Sequence, residues 1–127
     1  MFVGSILYAK DFRVLASFYA SLADECTAEM HDDYAALISG KSQMIVLQIP
    51  EPLSTQIKIE RPPQLRASTP LKPIVRVSSL QDALGALDTL GGTVRPGSPQ
   101  WEFQGNLVQD IVDPEGNVVQ LWQSIDE

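Results

Sequence analysis

The chain has 127 residues, of which 44% are hydrophobic and 20% are charged, as in one globular domain with a modest core. Its net charge of -7 and the lack of any basic cluster exclude a nucleic-acid partner from our expectations. No apolar run approaches the roughly 18 residues that a membrane span needs, and the N-terminus lacks the pattern of a signal peptide. Because Cys26 is the only cysteine, an internal disulfide and a cysteine-rich zinc site are excluded, and we expect a cytoplasmic protein.

The first half, residues 1–49, reads as a strand, a helix and three further strands. The N-terminal stretch "MFVGSILYAKDF" reads as a strand, and Asp11 is placed to cap the helix that follows. Three shorter strands are predicted at 26–30, 34–39 and 44–49. Residues 50–70 hold five of the nine prolines and read as a linker. Apolar residues at helical spacing form one face of the predicted helix: Leu15, Phe18, Tyr19 and Leu22.

The second half, residues 71–127, repeats the same order of elements. Laying residues 4–24 over 72–92 aligns Ile6 with Ile74, Leu7 with Val75 and Ala9 with Val77. Ser79 and Asp82 form a capping box, and Gly91 supplies the left-handed stop after the helix. The helix has its apolar face at Leu80, Ala83, Leu84, Leu87 and Leu90.

Three strands are predicted after this second helix, at 93–95, 107–112 and 118–123. Asp113-Pro114-Glu115-Gly116 joins the last two, because proline presets φ and Gly116 accepts the positive φ of such a turn. The whole chain is therefore expected to be one α+β domain of two βαβββ modules, with a curled mixed sheet and the helices on its outer face.

Alternation along the strands assigns two faces to the sheet. One face is apolar and should pack under the helices: Leu7, Ala9, Leu47, Ile49, Val75, Val77, Val119 and Leu121. The other should line a polar pocket: Tyr8, Gln48, Lys72, Arg76, Gln120 and Trp122. Since "VLQI" (46–49) matches "VVQL" (118–121), Gln48 is expected opposite Gln120 in the two copies.

Three features together resemble the vicinal-oxygen-chelate superfamily, which includes glyoxalase I, the bleomycin-resistance proteins and the extradiol dioxygenases. They are the paired βαβββ modules, the "FY" at Phe18-Tyr19 and the closing "DPEGNVVQLWQ". "WEFQGN" and the compact length look most like the bleomycin-resistance branch. The resemblance implies a cup formed by the two modules, and a homodimer. In metal-using members, strand one and strand four of each module supply the metal ligands, and the matching positions here are Gly4, Lys72, Gln48 and Gln120.

This set of residues is a poor metal site, so we expect no metal and no cofactor. Glycine has no donor atom, an ammonium group has no lone pair, and two neutral amides supply neither charge nor imidazole nitrogen. Shifting each position by one residue brings in no histidine or carboxylate. His31 with Asp32 and Asp33 could form a metal site instead, although an exposed acidic turn is the simpler interpretation.

We therefore expect a binding protein for an unknown small molecule. Lys72 and Arg76 favour an anionic or carbonyl-rich ligand, and strands one and four hold no matching carboxylate; the net charge of -7 would instead suit a cationic drug. Basic side chains also extend into solvent and tryptophans also fill cores, so structural roles stay open for these residues. The predicted ligand-binding residues are Tyr8, Gln48, Lys72, Arg76, Trp101, Gln120 and Trp122.

Catalysis has little support in the sequence, because no nucleophile–base pair is found. Two alternatives to a binding protein remain. One is a metal-dependent lyase, isomerase or dioxygenase with non-standard ligands. The other is a structural or regulatory subunit with a vestigial pocket.

Overall fold

The computed structural model describes residues 1–66 and 68–125. It contains two compact units, Met1–Ser21 with Glu25–Lys58 and Leu22–Asp24 with Ile59–Glu127. The fold is α+β, with a four-stranded sheet in the first unit and a five-stranded sheet in the second. No described helix is long and apolar enough to cross a membrane. The elements are β1 (Gly4–Ala9), α1 (Phe12–Leu22), β2 (Thr27–Met30), β3 (Tyr34–Ser39), β4 (Ser42–Gln48), α2 (Leu53–Gln56), β5 (Ile74–Arg76), α3 (Leu80–Leu90), β6 (Thr93–Val94), β7 (Trp101–Phe103), β8 (Asn106–Val112) and β9 (Val118–Ser124).

The sheet of the first unit has the strand order β1-β4-β3-β2, and only the β1–β4 pair is parallel among these described strands. Residues that pair across neighbouring strands lie on one face, so the register puts Leu7 with Val46 and Ala9 with Gln48. This is the face of the core, because Ala9 and Val46 are fully buried. The four predicted apolar residues of α1 are buried as well, namely Leu15, Phe18, Tyr19 and Leu22.

The predicted facing of β4 is wrong by one residue. Leu47 pairs with Tyr8 and lies on the opposite face from Leu7 and Ala9, although all three were expected to share a face; Ile49 has the same parity as Leu47. Every residue from 44 to 47 is apolar, so the sequence pattern does not show which side chains of β4 face the core. The register against β1 decides the facing.

In the second unit the strand order is β5-β9-β8-β6, and β7 also pairs with β8. Val75 pairs with Leu121, both are buried, and α3 packs against β6 and β9. The apolar face expected for Val75, Val119 and Leu121 is confirmed. β7 is a strand that the sequence did not predict.

α1 and α3 begin as the sequence predicts, and α3 also ends as predicted. Asp11 Oδ1 accepts a hydrogen bond from Val14 N, and Ser79 Oγ accepts one from Asp82 N at 3.1 Å. Gly91 closes α3 in the left-handed conformation, with φ of 92°. These caps satisfy backbone groups that a helix end otherwise leaves without partners.

The turn between β8 and β9 also forms as predicted. Gly116 has φ of 90° and donates its backbone N–H to Asp113 O at 3.0 Å. The Asp113 carboxylate is fully buried, and its Oδ1 accepts from Glu115 N at 2.8 Å and from Asn117 N at 3.0 Å. The "DPEGN" motif therefore has a structural role in this chain: its carboxylate organises the turn.

Two glutamines hold the starts of the two long helices in the same way. Gln48 Oε1 accepts from Phe12 N at 3.0 Å, and Gln123 Oε1 accepts from Leu80 N at 2.6 Å. Both lie on the helix-packed faces of their sheets, as the strand registers show. Each amide thereby satisfies the first free N–H of a helix from a neighbouring strand.

The expected equivalence of Gln48 and Gln120 is therefore wrong. Leu7 pairs with Val46 while its counterpart Val75 pairs with Leu121, so Gln48 corresponds to Gln123 and Ile45 to Gln120. The similarity of "VLQI" and "VVQL" gave the wrong pair of equivalent residues, because strand register rather than local sequence identity decides which positions of the two modules correspond.

Replacing Gln48 with alanine is expected to lower the free energy of unfolding by about 1–2 kcal/mol, since Phe12 N loses its acceptor. Gln43→Ala is the matched control, because the Gln43 side chain is exposed on the same strand. Urea denaturation of both variants measures the difference. Equal losses would contradict the capping role of Gln48.

Candidate functional site

The candidate site is the face of the five-stranded sheet that points away from α3, named the polar face below. Strand pairing arranges its side chains in rows that run across the strands. The first row contains Ile74, Gln120, Asp110 and Arg95. The second contains Arg76, Trp122, Val108 and Trp101. The third contains Ser124, Asn106 and Phe103.

A buried carboxylate organises the first row. Asp110 Oδ2 accepts from Lys72 Nζ at 2.7 Å and from Arg95 Nη1 at 3.0 Å, and Asp110 Oδ1 accepts from Gln120 Nε2 at 3.1 Å. The Asp110 side chain is 5% exposed, against 36% for Lys72 and 32% for Arg95. These four residues, Lys72, Arg95, Asp110 and Gln120, form the Asp110 cluster.

The Asp110 cluster keeps its central carboxylate ionised. Burial alone would raise the pKa of Asp110, since it penalises the charged form. The hydrogen bonds from Lys72, Gln120 and Arg95, together with the charge of Lys72, outweigh burial and hold the pKa below its usual range. At neutral pH the cluster therefore contains one carboxylate and two cations.

Aromatic side chains lie beside the Asp110 cluster, and Trp122 is joined to it by a hydrogen bond. Trp122 Nε1 donates to Gln120 Oε1 at 2.6 Å, so Gln120 connects the indole to Asp110. The rings of Phe103 and Trp122 meet edge to face, with centroids 5.9 Å apart. Trp101 is 37% exposed and Phe103 is 48% exposed. Trp101, Phe103 and Trp122 are named the aromatic row below.

Arg76 is held at the end of the second row. Its Nη1 donates to Asn106 Oδ1 at 3.0 Å, and Asn106 Nδ2 donates in turn to Gln104 O at 2.9 Å. Asn106 is buried, whereas Arg76 is exposed. The guanidinium is thus held by a neutral amide, which does not offset its positive charge.

Five of the seven residues predicted to bind ligand share this face of the second unit: Lys72, Arg76, Trp101, Gln120 and Trp122. The other two belong to the first unit. Tyr8 is 61% exposed on the side of its sheet opposite Ala9, while Gln48 lies on the helix-packed side. The predicted common face for Tyr8 and Gln48 is therefore wrong, for the register reason given above.

Four residues of the polar face were missed by the sequence reasoning: Arg95, Phe103, Asn106 and Asp110. Strands one and four of the modules, which were expected to supply the site, contain no carboxylate, whereas Asp110 lies on β8. One signal was available, since Asp110 alternates with Val108 and Val112 in "NLVQDIV". An acidic residue whose same-face neighbours, two positions away on either side, are both apolar is predicted to be a buried carboxylate with a charged or hydrogen-bonding partner.

The four positions that the resemblance assigns to metal ligands do not fit a metal ion. A side chain at Gly4 would place its Cβ 1.8 Å from Gln43 O, and Lys72 is bonded to Asp110. Gln48 bonds the start of α1, and both ends of the Gln120 amide are occupied. Within residues 1–66 and 68–125, no three His, Cys, Asp or Glu side chains lie together as a metal-binding group.

His31 has an arrangement typical of an exposed turn. Its ring stacks on Tyr34 with centroids 4.4 Å apart, and its backbone N–H donates to Tyr34 O at 2.9 Å. The neighbouring Asp32 and Asp33 are exposed. The residues therefore close the connection between β2 and β3.

A groove of about 530 Å³ lies on the opposite, helix-packed side of the five-stranded sheet. No charged side chain lines the groove, and Leu80 N at its edge is already bonded to Gln123. The polar face, with its fixed charges and exposed rings, has the richer recognition chemistry. The groove is lined by Ser79, Leu80, Gln81, Leu84, Gln100, Leu107 and Gln123.

No protein-family model and no curated protein matches this chain. Solved structures do. A glyoxalase/bleomycin resistance protein from Albidiferax ferrireducens aligns at 19% identity and a TM-score of 0.66, covering 97% of this chain and 98% of that one. A glyoxalase/bleomycin resistance protein/dioxygenase family enzyme from Burkholderia phytofirmans aligns at 14% identity and a TM-score of 0.60, covering 94% and 95%. A bleomycin-binding protein in complex with bleomycin aligns at 17% identity and a TM-score of 0.53, covering 96% and 97%.

Proposed function

Because this chain has the fold of the vicinal-oxygen-chelate superfamily, we propose that it binds a small organic molecule on the polar face without using a metal ion. The observation that carries the proposal is the aromatic row, with Trp101 and Phe103 exposed and Trp122 half-buried, beside the hydrogen-bonded Asp110 cluster. Flat rings supply contact area, and fixed polar groups orient a ligand.

The polar face is prepared for binding before a ligand arrives. Gln120 is held at both ends of its amide, and Trp122 is held through its ring nitrogen. Side chains that are already fixed lose less conformational entropy on binding, which leaves more of the contact energy as affinity. The structure therefore supports recognition by a rigid surface.

The available side chains support binding rather than metal-assisted turnover. The positions that would hold a metal carry no free donor set, as described above. One protein with this fold is a bleomycin-binding protein, which supports a binding role for the fold itself.

Tryptophan fluorescence tests the proposal directly, because Trp101 and Trp122 are the two tryptophans of the chain and both lie on the polar face. Chelator-treated protein is titrated with bleomycin and with aromatic acids, amides and amines. We expect saturable quenching by a member of this panel. We also expect retention of less than about a tenth of an equivalent of Zn²⁺, Mn²⁺, Fe²⁺ or Ni²⁺ after desalting.

Trp101→Phe and Trp122→Phe assign the fluorescence signal, since each variant keeps one reporter. Binding detected by calorimetry with no change in either tryptophan would place the ligand elsewhere and contradict the proposal. Retention of about one equivalent of a single metal, with binding that depends on it, would also contradict it.

A further inference from the structure

We propose that the ligand of the polar face is an anion, with a carboxylate or phosphate attached directly to a flat aromatic body. Arg76 would bind the anionic group. This inference rests on the proposed function, since it names the chemical class of the molecule bound at that site. The polar face has three properties that favour such a ligand: an excess of positive charge, free N–H donors, and a short distance from those donors to the aromatic row.

The described side chains of the polar face carry an excess of positive charge. Lys72, Arg76 and Arg95 are cations, and Asp110 is a carboxylate that is bonded to Lys72 and Arg95 but not to Arg76. Glu102 does not offset them, because it pairs with Leu107 on the opposite side of the sheet. An excess of two positive charges thus lies on one face of a chain whose net charge is -7.

Arg76 and Lys72 have more N–H donors than their hydrogen bonds within the protein occupy. Arg76 spends one N–H on Asn106, and a guanidinium has five N–H donors in all. Lys72 has three donors and also remains partly exposed while paired with Asp110. A planar guanidinium fits carboxylate and phosphate oxygens in a two-bond geometry, so Arg76 is the better anchor for an anion.

The aromatic row lies within reach of that anchor. Arg76 and Trp122 are direct neighbours on β5 and β9, and adjacent strands are about 4.8 Å apart. Phe103 meets Trp122 edge to face on the other side. A flat ring resting on Trp122 therefore brings a directly attached anionic group beside Arg76, whereas a long flexible linker would carry it past.

The same charges disfavour a cationic ligand, which the net charge of the chain would otherwise attract. A cation placed over Trp122 would face Arg76 as a like charge, and the one nearby carboxylate is already bonded by Lys72 and Arg95. Local charge outweighs total charge at contact distance, because salt screens distant surface charges within about 8–10 Å.

Four probes of equal ring size test the inference by fluorescence and calorimetry: 1-naphthoate, 1-naphthyl phosphate, 1-naphthamide and 1-naphthylmethylammonium. We expect the two anions to bind at least about tenfold more tightly than the amide, and the ammonium to bind most weakly. Arg76→Gln keeps a donor for Asn106 but removes the charge. It should weaken binding of the anions about tenfold and leave the amide unchanged.

Arg13→Gln is the matched control, because Arg13 is an exposed arginine of α1 in the first unit and should leave all four affinities unchanged. Unchanged binding of the amide by Arg76→Gln shows that the variant is folded. Equal or tighter binding of the amide or the ammonium would overturn the ligand class while leaving the proposed function intact. Failure of all four probes and of bleomycin to bind would overturn both.

Discussion

Replacing Asp110 with alanine is expected to lower the free energy of unfolding by about 3 kcal/mol. The substitution leaves Lys72 and Arg95 facing each other without a counter-charge. It also leaves Gln120 Nε2 without its acceptor. The two cations are about one-third exposed, so solvent limits the loss to below that of a fully buried pair.

The loss caused by Asp110→Ala should depend on pH in a defined direction. Because the pKa of Asp110 is lowered in the folded state, its carboxylate stabilises the fold above the unfolded pKa, near pH 4. That contribution disappears as the pH falls through the lower, folded pKa. The stability difference between wild type and variant should therefore be constant above about pH 5 and shrink below pH 4.

Urea denaturation at pH 7 and pH 3 measures both effects. Asp88→Ala is the matched control, since Asp88 is exposed on α3 and outside the polar face. It should change stability by less than about 0.5 kcal/mol. A difference between wild type and Asp110→Ala that stays the same at both pH values would show that the carboxylate acts through packing alone.

Replacing Gly116 with alanine is expected to cost about 3 kcal/mol or more, for two separate reasons. Gly116 has φ of 90°, a conformation that alanine adopts with strain. The added Cβ would also lie 2.1 Å from Gln64 O, so the backbone of one of these residues must move. The same movement would disturb the hydrogen bond from Arg66 N to Gly116 O, which is 2.9 Å long.

Gly97→Ala separates the two reasons. Gly97 has φ of 74° in the same unit, but nothing lies within 4 Å of its added Cβ. It should therefore lose only the conformational part, about 1 kcal/mol. If thermal denaturation gives the two variants the same melting temperature, the contact of the added Cβ with Gln64 O does not contribute to the loss of stability.

Much of the fold followed from local signals in the sequence. Asp11, Ser79 and Gly91 mark helix ends because capping depends on residues next to one another in the chain. The turn at Asp113 to Gly116 was predictable for the same reason. β7 was missed because it has only three residues. Its hairpin turns through Gln104 and Gly105, with φ of 50° and 75°, and Gly105 was the sequence signal for this turn.

The site was predictable only in part, because it depends on strand register. Arg76, Gln120 and Trp122 were placed on one face correctly, since Arg76 and Gln120 each stand between two apolar residues of the sequence. In β4 an unbroken apolar run hid the facing, and Gln48 was assigned to the wrong side. The role of Asp110 depends on Lys72 and Arg95, which lie 38 and 15 positions away in the chain, and no local signal in the sequence brings them together.

The close approach of β1 to β4 at Gly4 has a consequence for how this chain could change. Gly4 is one of the positions that the resemblance in sequence assigns to a metal ligand, yet any Cβ there would collide with Gln43 O, at 1.8 Å. A histidine or glutamate at this position requires the two strands to separate or shift first. A substitution at Gly4 therefore cannot supply a ligand while the present pairing of β1 with β4 is kept. A metal centre at this position would require a change in the backbone before a change in a side chain.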